Sequence, residues 1–168
     1  MEVPLFEEEP MRRLVVLRHA KSAWPEGVPD YRRPLNDRGR RDAPAVGRWL
    51  AGHVDEIDLA LVSPATRTRQ TWELAAAELP TVPPTTFDEQ LYGEGADSIL
   101  AVLRSVPDSA KTVLLIGHNP DLEDVVETLT GTRPEFKTAA LAVLTWPGKR
   151  LNTHARSSSL ELTETIRG

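Results

Sequence analysis

Arg18 and His19 are the first residues of the chain whose side chains suit chemistry on an anionic group. They directly follow the apolar run Leu-Val-Val-Leu at residues 14–17. An arginine guanidinium is a permanent cation whose planar fork of donors matches phosphate oxygens. A histidine beside it can act as nucleophile or proton carrier at neutral pH. The pair alone is weak evidence, so its meaning depends on whether later segments join it.

Two later segments carry residues of the same kind, and each also follows an apolar run. If the three runs are neighbouring strands, two histidines and at least one further arginine converge on one point. The helices that follow the later runs would aim backbone amides at the same point. An anion site that contains a nucleophile suits phosphoryl transfer, where catalysis is mostly positioning and charge stabilisation. The segments are Ser63-Pro64-Ala65-Thr66-Arg67-Thr68-Arg69-Gln70-Thr71 and Gly117-His118-Asn119-Pro120.

The pattern of apolar residues predicts the elements that position these segments. Unbroken apolar runs are typical of strands buried on both faces of a parallel sheet, and such sheets bind ligands beyond the carboxyl ends of their strands. Strands that alternate with helices predict an α/β fold, a three-layer αβα sandwich with a mostly parallel central sheet. We expect strands at about 13–17, 59–62, 112–116, 139–146 and, as a polar edge strand, 150–162, with helices after Asn36 as N-cap, over 65–79, after Asp97 as cap, and opened by Asn119 and Pro120 as N-cap and first position.

Length and composition exclude several classes of protein. The length of 168 residues predicts a single domain, over 13–168. The four glutamates and two prolines of residues 1–12 predict a disordered acidic leader. The 20 basic and 25 acidic residues give a formal charge of −5, which argues against nucleic acid as a partner. The chain has no cysteine, so thiol catalysis is excluded. No apolar run approaches the ~20 residues of a membrane span, and the acidic start is unlike a signal peptide, so we expect a cytoplasmic protein.

In their order and content, the three segments resemble the histidine phosphatase superfamily, the phosphoglycerate-mutase-like group. The motifs are Arg-His, then Ser-Pro-x-x-Arg-x-x-Gln-Thr, then Gly-His-Asn-Pro. The small size, the segment Arg-His-Ala-Lys-Ser at 18–22 and the segment from Arg33-Pro34-Leu35 to Gly39 resemble its short SixA-type phosphohistidine phosphatase branch. The resemblance covers about residues 13 to 146 and implies the phosphoglycerate-mutase-like fold.

The resemblance assigns roles to four residues. His19 would attack phosphorus and become a phosphohistidine. Arg18 and Arg67 would bind the phosphoryl oxygens, and His118 would donate a hydrogen bond to the same group. The chain departs from the family pattern at Ala20, where the family usually has glycine; we expect this small change only to tighten the turn.

Further positions near the motifs have two possible interpretations. Glu89, in the segment Glu-Gln-Leu-Tyr-Gly at 89–93, resembles the acid segment of the mutases; it is either the general acid or a solvated loop carboxylate. Ser22 and Arg33, with Lys21 and Arg32, either line the mouth of the site and bind substrate or are solvated loop residues.

These expectations favour a phosphatase that acts through a phosphohistidine intermediate, without metal or cofactor. The four histidines are far apart in the sequence and lack the i, i+4 spacing of a metal-binding helix. Only about 50 residues separate Arg67 from His118, which leaves little room for a cap, and an open site suits phosphohistidine on a protein. A phosphatase of small phosphate esters or nucleotides, and a catalytically weak module that binds phosphorylated side chains, are the alternatives. The oligomeric state is not predicted.

Overall fold

The computed structural model describes residues 11–148 and 151–168. Residues 1–10 of the predicted acidic leader lie outside the described residues. Met11 and Arg12, which the sequence analysis assigned to that leader, are instead the first two residues of a strand. The leader prediction is wrong at these two positions because their backbones pair with Pro147 and Trp146 of an antiparallel neighbour.

A six-stranded sheet forms the centre of the molecule. Strands β1 to β4 are parallel to one another, β5 is antiparallel to β1, and β6 is antiparallel to β5. The mostly parallel sheet of the prediction is therefore confirmed. The predicted polar edge strand is shorter than expected, because only its last four residues pair with β5. The strands are β1 Met11–Arg18, β2 Leu59–Val62, β3 Thr85–Phe87, β4 Thr112–Gly117, β5 Leu141–Pro147 and β6 Ser159–Leu162, in the spatial order β3-β2-β4-β1-β5-β6.

Helices cover both faces of the sheet and complete the three layers. The four apolar residues at 14–17 of β1 have no exposed surface, as expected for a strand buried on both faces. Leu14 and Val16 belong to the core formed with α3 and α4, and Val15 and Leu17 belong to the core formed with α1 and α2. The helices are α1 Asp37–His53, α2 Thr66–Ala76, α3 Ala96–Arg104 and α4 Asp121–Thr130, with short 3₁₀ turns at Asp30–Arg32 and Glu89–Leu91.

The helix starts agree with the sequence only in part. Asn36 is the N-cap of α1, and its side chain accepts a hydrogen bond from the Gly39 amide, as predicted. Helix α3 instead begins after Gly95, so the predicted cap at Asp97 is wrong. The predicted cap at Asn119 is also wrong, because its amide group donates to the Phe136 carbonyl at 2.7 Å and α4 begins two residues later.

The central position of β4 brings the three motif segments to one edge of the sheet. Strand β4 lies between β1 and β2, and all three run in the same direction. Arg18 is paired with Gly117 at the ends of β1 and β4. The backbone amide of Ser63 continues this pattern by donating to the Ile116 carbonyl at 3.0 Å. The carboxyl ends of the three strands therefore face a common space.

Candidate active site

His19 and His118 face each other beyond the ends of β1 and β4. The His19 amide donates to the Gly117 carbonyl at 3.2 Å, and the centroids of the two imidazole rings are 5.3 Å apart. The histidines are only 6% and 9% exposed. Both line a cavity of about 390 Å³, called here the catalytic cavity, together with Arg18, Ser22, Asp30, Arg33, Arg67 and four other residues.

The contacts of His19 fix which of its ring nitrogens can react. Its Nδ1 lies 2.7 Å from the Ala20 carbonyl oxygen, and because that oxygen can only accept, Nδ1 must carry the hydrogen. Nε2 then keeps its lone pair. Burial lowers the pKa of His19 well below its usual range, and the nearby ring of His118 and the positive charges of Arg67 and Arg18 lower it further. His19 is therefore a neutral imidazole with Nε2 available as a nucleophile.

Helix α2 holds the turn that carries His19. The Ala20 amide donates to the Thr71 hydroxyl at 3.1 Å, and that hydroxyl donates to the Arg67 carbonyl at 2.7 Å. One residue earlier in α2, the Gln70 side chain accepts from the Leu35 amide at 2.8 Å. The last two residues of the motif Ser-Pro-x-x-Arg-x-x-Gln-Thr thus hold the nucleophile turn and the residue before the N-cap of α1.

Helix α1 packs against the same turn from the other side. The Lys21 carbonyl accepts a hydrogen bond from the Asn36 amide at 3.0 Å. A Cβ atom placed on Gly39 would collide with that Lys21 carbonyl oxygen. Only glycine permits this approach between the first turn of α1 and the backbone that follows the nucleophile.

Arg18 and Arg67 supply positive charge on two sides of the cavity. Arg67 is 6% exposed, and it donates to the Asp30 carbonyl oxygen at 2.8 Å and to the Asp30 carboxylate at 3.1 Å. Arg18 is half-buried and donates to the Phe136 carbonyl at 2.9 Å. The Nε atoms of both arginines are buried without a hydrogen-bond partner among the described residues. Both guanidinium groups therefore keep donor capacity for an anion.

Ser63, at the end of β2, orients the ring of His118. The Ser63 hydroxyl lies 2.7 Å from Nε2 of His118, and it also accepts a 3.4 Å hydrogen bond from the Ala65 amide. Nδ1 of His118 is buried without a partner among the described residues. Burial, followed by the positive charge of Arg67, lowers the pKa of His118 to about 3. If the serine donates to Nε2, Nδ1 carries a hydrogen that a phosphoryl oxygen can accept.

Ser22 and Arg33, predicted to bind substrate or to be solvated, are buried in the wall of the catalytic cavity. Each is 6% exposed. Arg33 donates to the Ser22 hydroxyl at 2.6 Å, to the Ala23 carbonyl at 3.1 Å and to the Asp30 carboxylate at 2.9 Å. Its guanidinium carbon also lies 3.2 Å from the ring centroid of Trp24. These contacts hold the Arg33 charge in place, and its role toward substrate stays a prediction.

Glu89 does not line the catalytic cavity. It is exposed, and its carboxylate accepts a hydrogen bond from the Tyr31 hydroxyl at 3.2 Å. The ring of Tyr31 contacts that of Tyr92, whose own ring lies against His118 with centroids 5.4 Å apart. Among the described residues, two tyrosines link Glu89 to the site, and its role as general acid stays a prediction.

The sequence analysis missed Asp30, which lines the catalytic cavity, as it also missed Trp24 and Thr138. The Asp30 carboxylate accepts hydrogen bonds from Tyr92 at 2.6 Å, from Arg33 at 2.9 Å and from Arg67 at 3.1 Å. The hydrogen bond from Tyr92 and the two arginines lower the pKa of Asp30. An ionised carboxylate thus already binds cations of the anion site. The only sequence signal was an acidic residue three positions before Arg33, which many polar loops contain.

The described residues contain neither a cluster of metal ligands nor a membrane-spanning helix. Among the residues that the structure describes, no group of three or more histidine, aspartate or glutamate side chains could hold a metal ion. Within the same described ranges, every helix is too short or too polar to cross a lipid bilayer.

Known proteins are similar to this chain in sequence and in fold. The family model of the histidine phosphatase superfamily (branch 1) matches residues 14–111. An uncharacterised protein of Mycobacterium tuberculosis is 36% identical over 139 residues, which are 76% of this chain and 85% of that protein. The phosphohistidine phosphatase SixA of Escherichia coli is 29% identical over 150 residues, 79% of this chain and 84% of SixA.

Structural comparison points to the same group of proteins. The solved structure of a protein proposed to be the phosphohistidine phosphatase SixA of Nakamurella multipartitia is 32% identical to this chain. It superposes with a TM-score of 0.79 and covers 93% of this chain and 97% of its own. The phosphoglycerate-mutase-like fold and the SixA-like character of the prediction are confirmed, and the family supports phosphatase activity. With the family model matching more than half of its length, this chain belongs to the histidine phosphatase superfamily.

Proposed function

We propose that the protein is a metal-independent phosphatase that removes phosphate from phosphohistidine on a protein, through a phosphohistidine formed on His19. One observation carries the proposal: His19 is neutral, its Nδ1 is bound to the Ala20 carbonyl, and its Nε2 is free in a cavity lined by Arg18, Arg67 and His118. A buried neutral imidazole surrounded by cationic donors can attack an anionic phosphoryl group.

The first half of the reaction transfers the phosphoryl group to the enzyme. Nε2 of His19 forms a bond to phosphorus while the bond from phosphorus to the substrate imidazole nitrogen breaks, and that nitrogen gains a proton from solvent. Arg67 exchanges its hydrogen bonds to Asp30 for bonds to phosphoryl oxygens. Arg18 and Nδ1–H of His118 contact the other oxygens. These preorganised donors stabilise the charge that develops in the transition state.

In the second half, water attacks the phosphohistidine of His19. The bond from phosphorus to Nε2 breaks, inorganic phosphate leaves, and the neutral imidazole is restored. The hydrogen bond from Nδ1 to the Ala20 carbonyl is kept throughout, since it involves the ring nitrogen that does not react. It keeps the ring in the orientation needed for a second attack.

Two features support a protein-bound phosphohistidine over a small ester. Trp24, in the wall of the catalytic cavity, is 77% exposed, and the chain between α2 and β4 forms only β3, α3 and a 3₁₀ turn beside their loops. A side chain displayed on a protein can enter such an open site. Glu89 is exposed and does not line the cavity, and an imidazole is a less basic leaving group than an alkoxide, so it needs less help from an acid.

A substrate panel tests the proposal. The purified protein is given a phosphohistidine protein, sugar phosphates, nucleotides and phosphotyrosine in competition, and inorganic phosphate is measured. We expect the phosphohistidine protein to be hydrolysed with the highest kcat/KM. A higher value for a sugar phosphate or nucleotide would favour the small-ester alternative. Binding without turnover, and without acid-labile phosphate on the enzyme, would favour the binding module.

A further inference from the structure

A second cavity, called here the basic cavity, adjoins the catalytic cavity and has a volume of about 470 Å³. The two cavities share three lining residues, Arg18, Lys21 and Thr138. The segment at 137–140 is tied to the nucleophile turn, because the Ala139 amide donates to the carbonyl oxygens of Arg18 and His19 at 3.2 and 3.1 Å. Whatever occupies the basic cavity therefore lies next to the reacting group.

The basic cavity concentrates positive charge in a chain whose formal net charge is −5. Asp42 is its acidic lining residue, and both carboxylate oxygens of Asp42 are already engaged. One oxygen accepts from Arg38 at 3.2 Å and the other from the Gly168 amide at 3.0 Å, and the residue is only 1% exposed. Five basic residues line the same cavity and outnumber this one carboxylate: Arg18, Lys21, Arg38, Lys137 and Arg167.

Three of these cations are free to bind a ligand. Lys21, Lys137 and Arg167 are exposed, and none has a side-chain hydrogen bond or ion pair among the described residues. The backbone at Arg167 is nevertheless held, because the Ile166 amide donates to the Ala139 carbonyl at 3.2 Å and the next residue's amide donates to Asp42. These three positive charges therefore lie at the cavity without a side-chain partner among the described residues.

The basic cavity shares its cations with two neighbouring cavities. Lys137 and Arg167 also line another cavity, together with Glu135 and Glu164. Arg18 and Lys21 also line the catalytic cavity, so positive charge extends from the basic cavity to the reacting group. Clefts lined by one sign of charge attract ligands of the opposite sign and speed their association.

We propose that the basic cavity binds carboxylate side chains of an acidic protein segment that carries the phosphohistidine. The inference rests on the proposed function, since it assigns the surroundings of that substrate. When a phosphoryl group lies at Arg18, the neighbouring residues of the same substrate extend past Lys21 and Thr138 into the basic cavity. Glutamates or aspartates there meet Lys137 and Arg167, whereas a small monoester has no second anion to place.

The test uses two synthetic peptides that each contain one phosphohistidine, flanked by four glutamates in one peptide and by four glutamines in the other. We expect kcat/KM for the glutamate peptide to be about three- to tenfold higher, through a lower KM, as exposed ion pairs contribute modestly. Raising the salt concentration should reduce this preference because exposed charges are screened.

Variants show whether the basic cavity causes the preference. The double variant Lys137→Gln/Arg167→Gln should lose the preference and hydrolyse the glutamine peptide and p-nitrophenyl phosphate as the wild type does. Lys111→Gln is the matched control, because Lys111 is exposed and precedes β4 at the end opposite Gly117, about 20 Å away. This control should keep the full preference.

A second readout is independent of phosphohistidine turnover. The unphosphorylated glutamate peptide should inhibit p-nitrophenyl phosphate hydrolysis by the wild type at lower concentration than it inhibits the double variant. Equal kcat/KM for the two phosphopeptides, or equal inhibition of wild type and double variant, would overturn the inference. Hydrolysis of p-nitrophenyl phosphate but of neither phosphopeptide, with inhibition still weaker in the double variant, would overturn the proposed substrate and leave the basic cavity as an acidic-peptide site.

Discussion

The turn that carries His19 and the 3₁₀ turn that carries Asp30 meet in the same cavity but are held in different ways. Backbone hydrogen bonds fix the first turn, since the amides of His19 and Ala139 link it to β4 and to the segment before β5. The Asp30 carboxylate is fixed in the cavity by side chains, namely Arg33, Arg67 and Tyr92. Its side chain is also 51% exposed.

The difference separates a rigid part of the site from an exchangeable one. A nucleophile needs one orientation, and backbone hydrogen bonds to a buried sheet supply it. The carboxylate of Asp30 binds Arg67 with hydrogen bonds that a phosphoryl group can also accept. Substrate binding therefore replaces one anion by another at Arg67 without disturbing His19. Five predictions test this distinction.

Removing the rigid part should have the largest effect. His19→Ala deletes the attacking nitrogen, so we expect turnover to fall by about 10⁴-fold or more while the fold is kept, because the ring lies in a cavity beyond the strand end. Initial rates with saturating substrate measure the loss, and circular dichroism checks the fold. Near-native turnover by a folded His19→Ala protein would exclude the covalent mechanism.

Removing Arg67, the cation that exchanges Asp30 for substrate, should lower kcat less than removing the nucleophile does. Arg67→Ala loses a preorganised donor to the developing charge, which typically lowers kcat by ~10²–10³ (about 2.7–4 kcal/mol). Lys21→Ala, at the exposed rim shared by the two cavities, should leave kcat almost unchanged. Steady-state kinetics on one substrate compare the two variants. Similar losses in kcat would mean that Arg67 is not the main phosphate donor.

Asp30 should oppose anion binding if its carboxylate competes with substrate for Arg67. We expect Asp30→Asn to bind inorganic phosphate, as a competitive inhibitor, about three- to tenfold more tightly. Asp37→Asn is a matched control, because the Asp37 side chain is 92% exposed on α1, and it should leave the inhibition constant unchanged. Weaker phosphate binding by Asp30→Asn would show that Asp30 positions Arg67 and does not compete with substrate.

Glu89 should affect only substrates with a poor leaving group. General acids typically contribute ~10²–10⁴ in rate when an alkoxide must leave. Glu89→Gln should therefore depress hydrolysis of an alkyl phosphate, and phosphohistidine hydrolysis should stay close to the wild-type rate. The measurement is kcat on both substrates for both proteins. A large and equal loss on both would assign Glu89 a role for every substrate and would favour the small-ester alternative.

A change of pH should have a smaller effect on the site than any of these substitutions, because the protonation of His19 and His118 should not change between pH 8 and 5. The pKa of His19 lies well below its usual range, and that of His118 is about 3. Both rings should therefore stay neutral as the pH falls from 8 to 5, although an ordinary histidine titrates near pH ~6.5. Imidazole resonances assigned by NMR in wild type and in the His19→Ala and His118→Ala variants follow this directly. A midpoint near 6.5 for either ring would contradict the proposed neutral nucleophile or donor.

The low pKa of His118 also makes the free energy of unfolding depend on pH. Below pH ~6.5 the histidines of the unfolded chain take up protons, whereas His118 in the folded protein remains neutral until about pH 3. The unfolded state therefore binds more protons in this window, so the contribution of His118 to the free energy of unfolding is full above the window and declines as the pH falls through it.

Sequence reasoning predicted the rigid part of the site because its signals are local. Apolar runs mark the ends of β1, β2 and β4, and the motif residues follow directly on them. The parallel neighbours then place Arg18, Arg67 and His118 together with His19. The pattern of an open α/β sheet therefore predicted that two histidines and at least one further arginine converge beside Arg18, and the resemblance to the family assigned roles to the four residues.

The same reasoning could not reach the parts that depend on distant partners. Asp30 lies 37 positions before Arg67, and nothing in its own segment indicates that contact. The predicted cap at Asn119 failed for a similar reason, because the Asn119 side-chain amide donates to the carbonyl oxygen of Phe136, 17 residues later. Competition among several possible partners is settled only by the packed structure.

Gly39 has a consequence for any survey of inactive variants. It lies outside the catalytic cavity, yet every side chain larger than hydrogen would strike the Lys21 carbonyl two residues after His19. A mutational scan scored only by activity will therefore rank Gly39 among the least tolerant positions and will class it with the nucleophile. Scoring abundance beside activity will separate the two, because Gly39 variants will lose folded protein and His19 variants will not.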